Sequence, residues 1–132
     1  MADTMQFDLV SPERKLASVA ALEVRIPGAD GDLTVMPDHA PLITTLRPGI
    51  LTVVSTEGAT DYAVTGGFAE VSAAGASVLA ERAMPKSEVT SADIDALVNE
   101  ATSAADTVSA DGKDVAMKLV ADMTALKAAL GL

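Results

Sequence analysis

Hydrophobic and polar positions alternate with a period of two through residues 5–83. Met5, Phe7 and Leu9 alternate with Gln6 and Asp8, and Leu22, Val24 and Ile26 alternate with Glu23 and Arg25. That period places each apolar set on one face of a sheet. It predicts further short strands at 32–36, 50–55, 61–65, 68–73 and 77–83. Gly and Pro punctuate the connections at Pro27-Gly28, Pro48-Gly49, Glu57-Gly58 and Ala74-Gly75. The last two pairs sit between β runs, where Gly permits the positive φ of a tight hairpin. Many short strands at this spacing indicate a sandwich or a flattened barrel.

The period changes after Met84-Pro85-Lys86-Ser87. Thr90 or Ser91 can cap a helix, with Asp93 in the first turn where the helix dipole favours an anion. Ile94, Leu97, Val98, Ala101, Ala105 and Val108 follow at helical spacing. Ser109-Ala110-Asp111-Gly112 reads as a turn, and Val115, Leu119, Met123, Leu126 and Leu130 as the stripe of a second helix. The expected fold class is α+β: an N-terminal β-sandwich over 1–84, a linker at 85–89, and a C-terminal antiparallel two-helix hairpin over 90–132. The alternative is one fused domain in which the helices supply half the core.

Composition narrows the function. Of 132 residues, 19 are acidic and 9 basic, giving a net charge of −10, which argues against non-specific nucleic-acid binding. There is no cysteine, so disulfides, thiolate nucleophiles and Cys-ligated metals are excluded. No apolar run approaches the ~20 residues of a membrane-spanning helix. Met1-Ala2-Asp3-Thr4-Met5 lacks the basic and apolar regions of a leader. The expectation is a soluble cytoplasmic chain that meets membranes only through other proteins. Phe7, Tyr62 and Phe68 are the only aromatic residues, and twenty-five alanines add apolar character with little burial each. That predicts a thin core, helped by partner surfaces.

Candidate chemistry is sparse. Asp30, Asp32 and His39 fall within ten residues, which raises a metal site. An EF-hand needs more oxygen ligands at fixed intervals, and a catalytic zinc needs three protein ligands. The competing reading makes Asp30 and Asp32 exposed turn residues and His39 a loop-packing side chain. A Ser-His-acid triad would have to use His39, and no Gly-x-Ser-x-Gly elbow exists. Gly66-Gly67 follows a strand without opening a helix, so it reads as a bend or bulge rather than a phosphate loop. No catalytic residue, cofactor or metal is expected. The residues alone indicate a binding or assembly module; a small metal- or ligand-binding β-sandwich using Asp30, Asp32 and His39, and an acidic adaptor with a helical docking tail, are the alternatives.

One stretch is more specific. Pro27-Gly28-Ala29-Asp30-Gly31-Asp32-Leu33-Thr34-Val35-Met36-Pro37-Asp38-His39-Ala40-Pro41-Leu42 resembles the signature of the epsilon subunits of F-type ATP synthases, called delta in mitochondria. Val10-Ser11-Pro12-Glu13, Leu46-Arg47-Pro48-Gly49, Gly66-Gly67-Phe68-Ala69-Glu70-Val71 and Val78-Leu79-Ala80-Glu81 follow in the family's order. The likeness is strong over 5–83 and weaker in the helices.

The resemblance implies a rotor part without an active site. Such a subunit binds gamma, sits on the c-ring and helps couple proton flow to the head of alpha and beta subunits, peripheral to the cytoplasmic side of the inner membrane. It implies a c-ring interface at Asp30, Gly31, Asp32 and His39, where exposed carboxylates can pair with basic loops. Some relatives bind ATP through Ile/Leu-Asp-x-x-Arg-Ala in the first helix and use an opened hairpin to block hydrolysis. Here Ile94 and Asp95 match, but Val98 replaces the Arg and Asn99 the Ala. A valine makes no charge-assisted hydrogen bond to phosphate. The implied tail is a poor nucleotide sensor and a weak inhibitor.

Overall fold

The computed structural model describes residues 4–132. Met1, Ala2 and Asp3, on which the leader reading partly rests, lie outside the described residues. Eight strands come first: β1 (Met5–Val10), β2 (Lys15–Ala21), β3 (Glu23–Gly28), β4 (Gly31–Val35), β5 (Leu42–Thr45), β6 (Gly49–Ser55), β7 (Gly58–Ser72) and β8 (Gly75–Pro85). A 3-10 turn at Lys86–Glu88 leads to helix α1 (Ser91–Thr107), and a second at Ala110–Gly112 leads to α2 (Lys113–Ala129). This is the α+β arrangement that the two periodicities predict.

The hydrogen-bonded order is β2-β1-β8-β7-β6-β3-β4, with β5 also on β7. The long β7–β8 hairpin belongs to both layers of the sandwich. Along one edge β7 pairs with β6 over Gly58–Val64 and with β5 over Phe68–Val71. On the far side, β8 pairs in parallel with β1 over Gly75–Leu79. One layer is therefore β2-β1-β8-β7-β5 and the other β8-β7-β6-β3-β4. The change of layer falls at Gly66-Gly67, where φ is 45° and 103°. A Cβ on Gly67 would stand 2.0 Å from the Leu79 carbonyl oxygen, so the bend admits no side chain there. Strands commonly switch layers at such bends. The two strands expected at 61–65 and 68–73 are thus one bent strand.

Two strands escaped the alternation. β2 carries Lys-Leu-Ala-Ser-Val-Ala-Ala, and only Ala17 and Ala21 are buried. It forms because Ser11 N donates to the Arg14 carbonyl at 2.9 Å, closing the turn that folds β2 back on β1. β5 is four residues long and, among the described residues, pairs only with β7.

Phe7, Leu9, Val71 and Val78 of the first layer meet Val24, Ile26, Leu51 and Val64 of the second, all at most 1% exposed. The helices stay outside this core. They rest on the outer face of the second layer, where Ala63 and Ile50 meet Ile94, Leu97, Leu126 and Leu130. A capping box starts α1: Thr90 Oγ1 accepts from Asp93 N at 3.2 Å, and Thr90 N donates to Asp93 Oδ2 at 3.1 Å. On α2 the predicted stripe holds only in its C-terminal half. Met123 and Leu126 are buried, but Val115 is 76% exposed and Leu119 38%. Apolar residues lie nearly all round α2, so spacing alone admits several stripes.

Candidate functional site

The acidic turn joins β3 to β4 as a two-residue loop, Ala29-Asp30, between paired Gly28 and Gly31. Gly31 takes a φ of 140°, and a Cβ on Gly28 would meet the Gly31 carbonyl at 2.6 Å. Glycine on both sides is what lets the chain reverse so tightly. Asp30 and Asp32 are both exposed, as the sequence implies. Their surroundings differ. Asp30 has no hydrogen bond or ion pair among the described residues, whereas the Arg47 guanidinium grips Asp32 through Nη2 and Oδ1.

Arg47 is the residue that sequence reasoning missed. Its Nη1 donates to the Gly28 carbonyl at 2.6 Å, and its backbone N donates to the Pro27 carbonyl at 3.0 Å. Ala29 N donates to Thr45 O at 2.8 Å, and Gly28 bridges to Leu46. The segment from Thr45 to Arg47 therefore holds both arms of the turn. Behind it Gly49 packs on Pro27, where a Cβ would come within 2.7 Å of the proline ring. The two Pro-Gly pairs, far apart in sequence, are packed together. Their repetition around Arg47 was the available signal.

His39 lies elsewhere. The rest of β4, residues 33–35, and residues 36–38 run between Asp32 and His39. Its loop is tied to the β7–β8 turn: Asp38, at a φ of 66°, donates its backbone N–H to the Ala73 carbonyl at 3.2 Å. The half-buried His39 ring donates Nδ1–H to the Ala40 carbonyl at 2.7 Å. The structure therefore brings Asp30, Gly31 and Asp32 together but leaves His39 out. No group of three His, Cys, Asp or Glu residues among the described residues converges as a metal site would require.

A second exposed feature covers the outer face of the first layer. Ile43 is 70% exposed, Leu79 44% and Phe68 41%. Phe68 lies directly opposite Leu79, and Ile43 one row away opposite Glu70. The helices cover the other layer, so the described residues leave this patch bare.

Ile94 and Asp95 sit at the start of α1. Ile94 is 2% exposed and packs on Ala63 and Leu126. Asp95 accepts from Lys127 Nζ on α2 at 2.6 Å. A cleft between α1 and the second layer is lined by Thr65, Glu81, Arg82, Asp93, Ile94 and Leu97. Within it Asp93 is committed to the cap, and Arg82 pairs with Glu100 at 3.2 Å.

Comparison with known proteins agrees with this architecture. The family model described as the ATP synthase delta/epsilon chain beta-sandwich domain matches residues 4–86. The ATP synthase epsilon chain of Rhodobacter capsulatus is 59% identical over 132 residues, covering 100% of each chain. That of Fuscovulum blasticum is 63% identical over 131 residues, covering 99% of each. Among solved structures, a chain of the Euglena gracilis mitochondrial ATP synthase (OSCP/F1/c-ring) superposes with a TM-score of 0.74 at 22% identity, covering 97% of this chain and 82% of that one. The helices are thus matched along with the sandwich, and the chain belongs to the delta/epsilon family of ATP synthase subunits.

Proposed function

We propose that the chain is a non-catalytic central-stalk subunit of a proton-translocating F-type ATP synthase, linking gamma to the c-ring and coupling proton flow to ATP synthesis. The observation that carries this reading is the end-to-end identity with epsilon chains, helices included. The two exposed surfaces fit the two partners. The bare apolar patch of Ile43, Phe68 and Leu79 offers gamma a surface to cover. The acidic turn offers basic c-ring loops a carboxylate. A rim ion pair is worth about 0–1 kcal/mol, so pairs repeated around a ring set orientation more than affinity. His39, away from that turn, belongs to this interface only through its own loop.

No helix among the described residues is long and apolar enough to cross a membrane. Attachment is proposed to be peripheral, on the cytoplasmic side of the inner membrane, through the complex. The alternative of a metal- or ligand-binding sandwich needs Asp30, Asp32 and His39 to converge, and they do not. Pull-down from membranes is expected to recover alpha, beta, gamma and c subunits; recovery of none would overturn the assignment. Ile43→Glu with Phe68→Glu should reduce gamma recovery while the subunit stays folded.

The hairpin is proposed to be a poor nucleotide sensor and a weak inhibitor. Asp95 is engaged by Lys127, and carboxylates outnumber free cations along the cleft beside Ile94. Calorimetry with MgATP should give no binding tighter than millimolar. The sandwich and the hairpin are proposed to be separable units, so deletion of residues 88–132 should leave a folded sandwich and nearly unchanged ATP hydrolysis by the assembled enzyme. Several-fold activation on truncation would overturn the inhibitory part of this reading.

A further inference from the structure

Of the two carboxylates in the acidic turn, one is spent inside the chain. Arg47 spans the hairpin, with one nitrogen on the Gly28 carbonyl of β3 and another on Asp32 of β4. Its side chain is only 28% exposed, while that of Asp32 is 76% exposed, so the guanidinium is the sheltered member of the pair and pairs with a carboxylate that stays open to solvent. The fork geometry matters. A guanidinium presents several donors in one plane and reaches a carbonyl and a carboxylate together, which a single ammonium point charge does poorly. Asp30, at the tip, receives no such partner among the described residues.

We infer that Arg47 is a positioning residue: it neutralises Asp32 and locks the turn so that Asp30 alone presents a free carboxylate to a basic partner loop. This rests on the proposed c-ring contact of the turn. The turn then offers a partner one negative charge at a defined place, rather than two on a mobile loop. A fixed carboxylate loses less side-chain and loop freedom on docking than a mobile one.

A double-mutant cycle tests this, using the full chain and ATP synthase stripped of this subunit. Asp30→Asn should weaken rebinding roughly fivefold at low salt, the value of one good exposed ion pair, without changing backbone order in the turn. Arg47→Met should weaken rebinding by a similar factor and lower the NMR order parameters at Asp30 and Gly31 in the isolated chain. Arg47→Lys should recover part of both. In the Asp30→Asn background, Arg47→Met should cost nothing further, because its effect runs through Asp30. Additive losses, or an unchanged turn in Arg47→Met, would overturn the positioning role. If Arg47→Met loosens the turn as expected but no variant alters rebinding, the c-ring contact itself fails and the inference falls with it.

Discussion

The sandwich and the hairpin are held by different means. The sandwich closes on branched and aromatic side chains from two facing sheets: Phe7, Leu9, Val24, Ile26, Val64 and Val78 are buried almost without remainder. In the hairpin the buried set is Ile94, Ala101, Ala105, Met123 and Leu126. Two of those five are alanines, which bury little area each. Polar ties supplement them. Lys127 meets Asp95 across the pair, and Lys113 Nζ donates to the Ala105 carbonyl at 2.7 Å, near the C-terminus of α1 where a cation is favourable. Each helix has 17 residues, close to the length at which isolated helices are marginal in water. The hairpin therefore depends on docking in a way the sandwich does not, and the two regions should open with different free energies.

The largest expected effect falls in the sandwich. Phe7→Ala removes a ring with no exposed surface from between the layers, and should lower the unfolding free energy by about 3–5 kcal/mol in urea titration. Every region should unfold with it, the hairpin included. Ile94→Ala is the matching change at the docking face. Its cost should be about 2 kcal/mol, near the low end for a buried aliphatic truncation, because undocking relieves the cavity. The two differ in signature more than in size. Hydrogen exchange in Ile94→Ala should accelerate across α1 and α2 while β1 and β7 keep their protection. Uniform acceleration would mean that the helices and the sandwich form one cooperative unit.

The contrast also explains what the sequence could and could not reveal. Strands with both branched residues and strict alternation, such as β1 and β3, were legible. β2 was not, because its inward positions are alanines and a closed turn at Ser11–Arg14, not hydrophobic patterning, sets its register. β5 was too short to show a period. On α2, apolar residues on several faces made the stripe ambiguous, and only contact with α1 and β6 selects one. At the acidic turn, glycine spacing made the reversal legible and exposure followed from it. The Arg47–Asp32 pair joins positions 15 apart through the fold, which no local pattern reports. His39 is a different case: its ring is tied into its own loop through the Ala40 carbonyl, a local contact that residue order does not report. The Arg47–Asp32 pair also decides which charge reversal probes the turn cleanly. Asp32→Lys would set an ammonium against Arg47 and disturb the turn, so Asp30→Lys alone is the cleaner probe of the partner.

A smaller effect is expected at the tie between the helices. Lys127→Met removes the partner of Asp95, a pair whose side chains are 36% and 51% exposed. Solvent screening at that exposure limits the loss to about 1 kcal/mol or less. Added salt should shrink the difference between Lys127→Met and the parent, since the pair is accessible to ions. The readout is exchange at α1 and α2 amides, where the parent should be slower at low salt and nearly equal at high salt. An undiminished difference at high salt would show that the lysine stem, rather than its charge, holds the helices.

The smallest expected effect lies at the sandwich edge and concerns pH. Asp8 stands opposite Ser18 in the β1–β2 pair. Hydrogen bonding with the Ser18 side chain is the main influence lowering its pKa below the ordinary carboxylate value; slight desolvation opposes this, and Gln6 and Lys15 add to the lowering. A carboxyl with a lower pKa in the folded chain than in the unfolded one stabilises the fold where both forms are ionised. Its contribution is therefore complete at neutral pH. As pH falls below the ordinary carboxylate range, the unfolded chain binds the proton first, and the contribution disappears as the folded value is passed. Asp8→Asn should reproduce the loss at neutral pH and make no difference in strong acid. Urea midpoints of the parent and Asp8→Asn should differ slightly at neutral pH and converge on acidification. Exchange at β1 and β2 should carry the change, with α1 and α2 unaffected. A gap between the two midpoints that widens in acid would reverse the sign and remove Asp8 from the forces that hold the edge.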